Sequence, residues 1–335
     1  MELLPAVVYM RQLVVSVPLV RSVYMWIRIV TDWLSIFSLP LYHLFICNHD
    51  GAYSNTITRI DGFPLPVFLN ETAVERIRNF PVETNDVFIV GFPKSGTTWL
   101  QIVLSSLYED WGTCRMNSHR RVPMLEMPTV PGVEGYRHCL EAPSPRLIKS
   151  HLPYNYFPVR RSDVGCKIIY ICRNPKDVCV SFFHYLKGYR VLDGDNAWEN
   201  FVTNFLSGDI VYGSWLDHAM GWLGNVDDNI LFLTYEDTMK DPEKMFRKIV
   251  KFIGRPVCED KFNEVVEASD FRNMKNISRD RLSIPRMFYD HKSAPFFRKG
   301  TVGDWKNHFS KEENEAFYRQ FGKKLKARNL DYLYQ

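Results

Sequence analysis

Four short apolar runs punctuate the chain between residues 86 and 234: 86–91 (DVFIVG), 146–149 (RLIK), 167–172 (KIIYIC) and 229–234 (NILFLT). They are continuous rather than alternating, the pattern of strands covered on both faces in a parallel sheet. Between and after them, residues 97–108, 175–187, 197–205, 213–223 and 242–253 place apolar side chains three and four apart. Several of these segments begin with proline or an acidic residue, as helices do. Strands alternating with helices predict a single α/β domain over about residues 58–330, built on a doubly wound parallel sheet with a phosphate-binding strand-loop-helix. In such sheets ligands bind beyond the carboxyl ends of the strands.

The first fifty residues follow another pattern. They are rich in Val, Leu, Ile, Trp and Tyr, but Arg11, Arg21, Arg28 and Asp32 break the apolar character, and the longest clean run is 33–47. At ~1.5 Å per residue that run is shorter than the ~30 Å hydrocarbon core of a bilayer, and Pro40 lies inside it. Three readings stay open for residues 1–50: a signal anchor, an interfacial helix with its arginines at the headgroups, and an extension that adds no structure.

Composition narrows the partners. The 42 basic and 38 acidic residues are interspersed, and a net charge of +4 gives no reason to expect nucleic acid. The seven cysteines form no CxxC pair, and Cys166 and Cys172 lie in or beside an apolar run, which reads as reduced core thiols and a cytoplasmic protein. Membrane association through residues 1–50 is the alternative. The triplets at Asn70 and Asn276 match the glycan-acceptor pattern, a match that arises often by chance.

Four segments carry the chemistry. Gly91-Phe-Pro-Lys-Ser-Gly-Thr-Thr-Trp99 follows a predicted strand and opens a predicted helix, so successive backbone N–H groups and the helix amino end converge on an anion. Lys94 precedes the second glycine, Gly96, whereas the nucleotide-kinase loop has its lysine after it. Lys149-Ser-His151 closes another strand, where a histidine can act as a base and a lysine two residues earlier shares its face. Arg173-Asn-Pro-Lys-Asp177 ends a third strand and leads into a helix carrying Ser181, and a guanidinium there can hold two phosphate oxygens at once. Finally, 296–307 (FFRKGTVGDWKN) sets Arg298 and Lys299 among glycines and aromatics, which suits an anion-binding loop.

Taken together, PKSGTTW, KSHLP, CRNPKDVCVSFFHY, the strand ending in Tyr235-Glu-Asp, and FRKGTVGDWKN resemble the cytosolic sulfotransferase family over about residues 58–330. The resemblance implies an enzyme that moves a sulfuryl group from 3′-phosphoadenosine 5′-phosphosulfate (PAPS) to a hydroxyl or amine of a small phenol, steroid, alcohol or amine, without a metal. It implies that Lys94, Ser95, Gly96, Thr97, Thr98 and Trp99 hold the 5′-phosphosulfate and the nearby adenine. Arg173, Ser181, Arg298, Lys299 and Gly300 then hold the 3′-phosphate, and Tyr235, Phe271 and Met274 lie around the adenine. His151 matches the base and Lys149 a transition-state lysine, with Lys94 and Ser181 completing the catalytic set.

The chain departs from the family pattern at Asp270, where the family usually has serine, and at Ser310-Lys311, where the dimer motif has Thr-Val; the homodimer is therefore left open. Two competing readings are a phosphate-loop small-molecule kinase, with Glu236 or Asp237 on a metal, and a non-catalytic nucleotide-binding protein. An apolar acceptor pocket is expected from Phe92, Phe182, Phe183, His184 and residues 124–136.

Overall fold

The computed structural model describes residues 57–67, 69–108, 121–127, 135–158, 164–189, 197–274, 289–327 and 330–334. The N-terminal extension, Asn276 and residues 128–134 of the expected acceptor pocket lie outside them. Among the described residues, no helix is long and apolar enough to cross a membrane.

A hairpin of β1 (Ile57–Ile60) and β2 (Phe63–Pro66) precedes helix α1 (Glu71–Arg78). Asn70 caps α1, its side chain accepting from Ala73 N at 2.8 Å. The central sheet then begins with β3 (Val87–Val90), followed by helix α2 (Thr97–Tyr108), the short helix α3 (Gly135–Leu140) and strand β4 (Leu147–Ser150). Strand β5 (Lys167–Cys172) leads into α4 (Pro175–Gly188), and α5 (Ala197–Ser207) and α6 (Trp215–Leu223) precede β6 (Ile230–Thr234). Helices α7 (Tyr235–Lys240), α8 (Pro242–Ile253), α9 (Glu259–Ser269) and α10 (Lys311–Phe317) complete the part that frames the site.

The four strands β3 to β6 pair in parallel in the order β4-β3-β5-β6. The chain leaves β3 towards β4 but leaves β5 in the opposite direction, towards β6, so the crevice beyond β3 and β5 is the topological switch point. Successive side chains point to opposite faces of a strand. One face, with Val87, Ile89, Ile169, Ile171 and Leu233, packs under α2, α8 and α9 in one apolar cluster. The other face is aromatic: Phe88 meets Phe157, and Tyr170 stacks on Trp222 of α6. Burial on both faces is why VFIV and IIYIC read as uninterrupted apolar runs.

The strand and helix expectations hold to within two residues at each end. Helix α6 starts at Trp215 rather than 213, because Ser214 caps it, accepting from Asp217 N at 3.2 Å.

Candidate active site

Three strand ends deliver the site. After β3, residues 91–96 form the phosphate loop, in which Lys94 adopts φ +71°, a left-handed conformation uncommon outside glycine. That turn places Lys94 Nζ between two aromatic faces, 4.4 Å from the ring centres of both Tyr185 and Phe296. Burial, then the charges of Lys149, Arg173 and Arg298, lowers Lys94 to about 7. Ser95 Oγ is buried with no hydrogen-bond partner. Thr97 is buried at the amino end of α2 and Thr98 is half-buried.

Beyond β5, Arg173 joins separate parts of the site. Its Nη1 donates to Lys94 O at 3.3 Å and its Nη2 to Thr301 O at 3.2 Å, while its guanidinium lies 4.1 Å from the Tyr235 ring centre. Its Nε is buried and unpartnered. Ser181 is half-buried on α4. The same helix offers Asp177, which accepts from Gly303 N at 2.7 Å and Trp305 N at 3.0 Å and so fastens the C-terminal loop.

In that loop Arg298 and Lys299 both bond to Asp304, Lys299 at 2.6 Å. Burial opposes ionisation of Asp304, but bonds from Lys299, Asn307 and Arg298 overcome it and hold the carboxyl far below its usual range. Gly300, at φ +67°, lies against Phe271, and a Cβ there would stand 2.2 Å from that ring. Asp270 is turned away to its own neighbour, accepting from Arg272 N at 2.9 Å. Ser310, the other departure from the family pattern, serves as the cap of α10, in a capping box with Glu313.

At the end of β4, His151 Nδ1 lies 2.6 Å from Gly91 O. A carbonyl only accepts, so Nδ1 carries the proton and Nε2 keeps a free lone pair. Burial, then Lys149, pushes His151 well below its ordinary range, which keeps the ring neutral. Lys149 Nζ donates to Gln101 Oε1 at 3.1 Å and is lowered to about 8 by burial, against the pull of Glu126.

The structure thus brings together Lys94, Ser95, Arg173, Tyr235, Arg298, Lys299, Gly300 and Phe271 around the switch point, with Lys149 and His151 beside them. Trp99 and Met274 are buried in the apolar cluster that includes α2. Of the expected pocket residues, Phe92 and Phe182 pack edge-on at 6.3 Å within the aromatic core, and Phe183 packs on Trp198.

Two residues contact His151 in ways that sequence reasoning did not assign. Glu126, pushed up to about 7 by burial, accepts from His151 N at 2.6 Å. Tyr212, at φ +69°, holds its ring 5.7 Å from that of His151. The only sequence signal for Tyr212 is its place in a Tyr-Gly-Ser turn before a helix, and Glu126 was named only as part of the expected pocket segment 124–136.

The donor set fits a ligand with several anionic groups. Ser95 Oγ and Arg173 Nε are buried without partners, and Lys94 meets two rings and no carboxylate among the described residues.

Comparison with known proteins agrees. The Sulfotransferase domain family matches residues 84–328. Rat sulfotransferase 1A1 is 36% identical over 275 residues, 80% of this chain and 94% of that protein. Mouse sulfotransferase 1B1 is 34% identical over 292 residues, 84% of this chain and 96% of that protein. The crystal structure of mouse sulfotransferase SULT7A1 complexed with PAP is similar with a TM-score of 0.69 and 31% identity, covering 83% of this chain and 96% of that one. The chain belongs to the sulfotransferase family, and it is a PAPS-dependent sulfotransferase.

Proposed function

We propose that His151 is the general base of this sulfotransferase and that its acceptor is the hydroxyl or amine of a small organic molecule. The observation that carries the assignment is the 2.6 Å bond from His151 Nδ1 to Gly91 O. The base is tied to the first residue of the loop that holds the donor, and its free Nε2 faces no competing partner among the described residues.

PAPS supplies the sulfuryl group, and its phosphate becomes more anionic as the group departs. Backbone N–H groups of the phosphate loop, Ser95 Oγ, Thr97 and Thr98 bind the 5′ end, and Arg173, Ser181, Arg298, Lys299 and Gly300 the 3′-phosphate. Tyr235 and Phe271 offer flat faces to the adenine. Lys94 and Lys149 stabilise charge where it grows, in a site dry enough to lower both of their pKa values. His151 Nε2 removes the acceptor proton, and Nδ1 stays bonded to Gly91 O throughout.

Tyr212, beside His151, lines the approach of the acceptor. Its left-handed backbone is a strained conformation of the kind found at functional sites. The cytoplasm is the compartment this reading favours, supported by buried free thiols at Cys139, Cys166, Cys172 and Cys179.

The test is incubation with radiolabelled PAPS against a panel of phenols, steroids, alcohols and amines, for the native chain and for His151→Asn. We expect one class to be sulfated, and the variant to lose ~10²–10⁴-fold in kcat, with PAP affinity unchanged. Near-native turnover by the variant refutes the base assignment.

A further inference from the structure

The pairing of β4 with β3 ends at Ser150, opposite Val90, one residue before His151. On its other side β4 is flanked by Met124, with Leu125 N donating to Lys149 O at 2.8 Å, and that contact also stops short of the base. The backbone of His151 is therefore beyond the ladder, yet buried, and both of its polar groups need partners. Its N–H goes to Glu126 Oε1. Its carbonyl accepts from His218 Nε2 at 3.0 Å, and the next carbonyl, of Leu152, accepts from Trp222 Nε1 at 3.2 Å.

His218 and Trp222 are four residues apart on α6 and so share one helical face. They act as rungs where the sheet supplies none. Tyr170 of β5 fixes both: its ring stacks on His218 at 5.8 Å and on Trp222 at 5.6 Å, and its hydroxyl lies 3.0 Å from His218 Nδ1. The proton positions follow from the acceptors. The His151 carbonyl requires the hydrogen on His218 Nε2, which leaves Nδ1 bare to accept from the Tyr170 hydroxyl. Burial lowers His218 to about 4, so this single neutral tautomer persists near neutral pH.

We propose that His218 and Trp222, locked by Tyr170, form a side-chain bracket that positions the main chain of His151 for proton removal. They are positioning residues, acting through His151 without touching the acceptor. The inference rests on His151 being the base. An imidazole is required at 218 because it donates at one nitrogen while accepting the hydroxyl that orients it at the other. A shift of the base by 1 Å costs on the order of 10²-fold in rate, which sets the ceiling for losing the bracket.

Tyr170→Phe is the informative variant, since it keeps the stacked ring and removes only the hydroxyl; His218→Leu and Trp222→Phe break the rungs themselves. Rates are measured with radiolabelled PAPS and the panel acceptor that turns over fastest, in native and His151→Asn backgrounds. PAP affinity, thermal midpoints and ¹⁵N imidazole spectra of the PAP complex are recorded in parallel.

We expect Tyr170→Phe to lower kcat roughly tenfold and His218→Leu to approach the ~10²-fold ceiling, with PAP affinity within twofold. Both losses should vanish in the His151→Asn background. In the Tyr170→Phe spectrum, the His218 Nδ1 resonance should shift as it loses its hydrogen bond, while Nε2 stays protonated towards the His151 carbonyl. Native kcat in a folded Tyr170→Phe, or the same loss in both backgrounds, overturns the proposal and leaves the contacts purely structural. Full turnover by His151→Asn alone instead overturns the base assignment, and the spectra still report whether the bracket exists.

Discussion

We expect PAP binding to be a proton-uptake reaction at Lys94. With a pKa of about 7 in the ligand-free site, about half the molecules hold a neutral amine at pH 7 and ~90% at pH 8. A phosphate placed against it returns the ammonium towards its ordinary range. Binding of PAP then takes up ~0.5 proton at pH 7 and ~0.9 at pH 8 from Lys94. Lys149, at about 8, adds ~0.1 and ~0.5 respectively.

The ligand prefers the charged form, which the free enzyme loses as pH rises through about 7, so the Lys94 contribution to affinity is full below about pH 6 and weakens above it. The slope approaches tenfold per pH unit for one proton and exceeds it where Lys149 also titrates. Calorimetry at pH 8 in HEPES and in Tris reads the uptake as the difference in apparent enthalpy between buffers of different ionisation heat. At that pH the phosphates of free PAP are past their second ionisation near ~6, and their protons do not obscure the result. Zero net uptake at pH 8, or an uptake that survives intact in Lys94→Met, refutes the reasoning.

Arg173→Ala and Arg298→Ala should each weaken PAP binding by roughly 1.5–3 kcal/mol, the scale of a hydrogen bond to a charged group; calorimetric affinities unchanged in both would place the 3′-phosphate elsewhere. Gly300→Ala forces a Cβ into the Phe271 ring at φ +67°, so PAP affinity should fall about tenfold while the thermal midpoint without ligand moves little, given ~1 kcal/mol of local strain; native affinity by calorimetry counts against the loop geometry. A chain beginning at Asn55 should fold and keep PAPS-dependent turnover, because every proposed site residue lies at Lys94 or beyond; an inactive but folded truncation, judged by circular dichroism and radiolabel transfer, would show that the first fifty residues contribute to the site.

The sheet was legible because it is buried twice over. VFIV and IIYIC have no solvent face, so each strand appears in sequence as an apolar block, and the cations at their ends stand out against it. The hairpin before it was not, since Phe63–Pro66 contains two prolines and reads as a break. Helix α9 was overlooked for the opposite reason: EDKFNEVVEAS is mostly polar, and only Phe262, Val265, Ala268 and Ser269 are buried. The proposed anion-binding residues stand out in the sequence because glycine, lysine and hydroxyl residues in one loop have few other uses. Glu126, Tyr212 and His218 do not, because each is a solitary polar residue whose role exists only once β4 lies beside residue 124 and α6 lies over Tyr170.

Asp177 binds the main chain at Gly303 and Trp305 across more than 120 positions of sequence. Arg173 adds a second long-range tie, to Thr301. The cation pair at Arg298 and Lys299 is therefore in place only after the chain through Trp305 has been synthesised. A 3′-phosphate held by that pair cannot template the early folding of this enzyme, as a ligand held wholly by a local loop could. The sheet and its flanking helices must form first, by contacts between distant segments that are intrinsically slow to close. During biosynthesis the nucleotide gains its full hold only on chains that extend past Trp305, so its presence in the cell favours those molecules over shorter fragments.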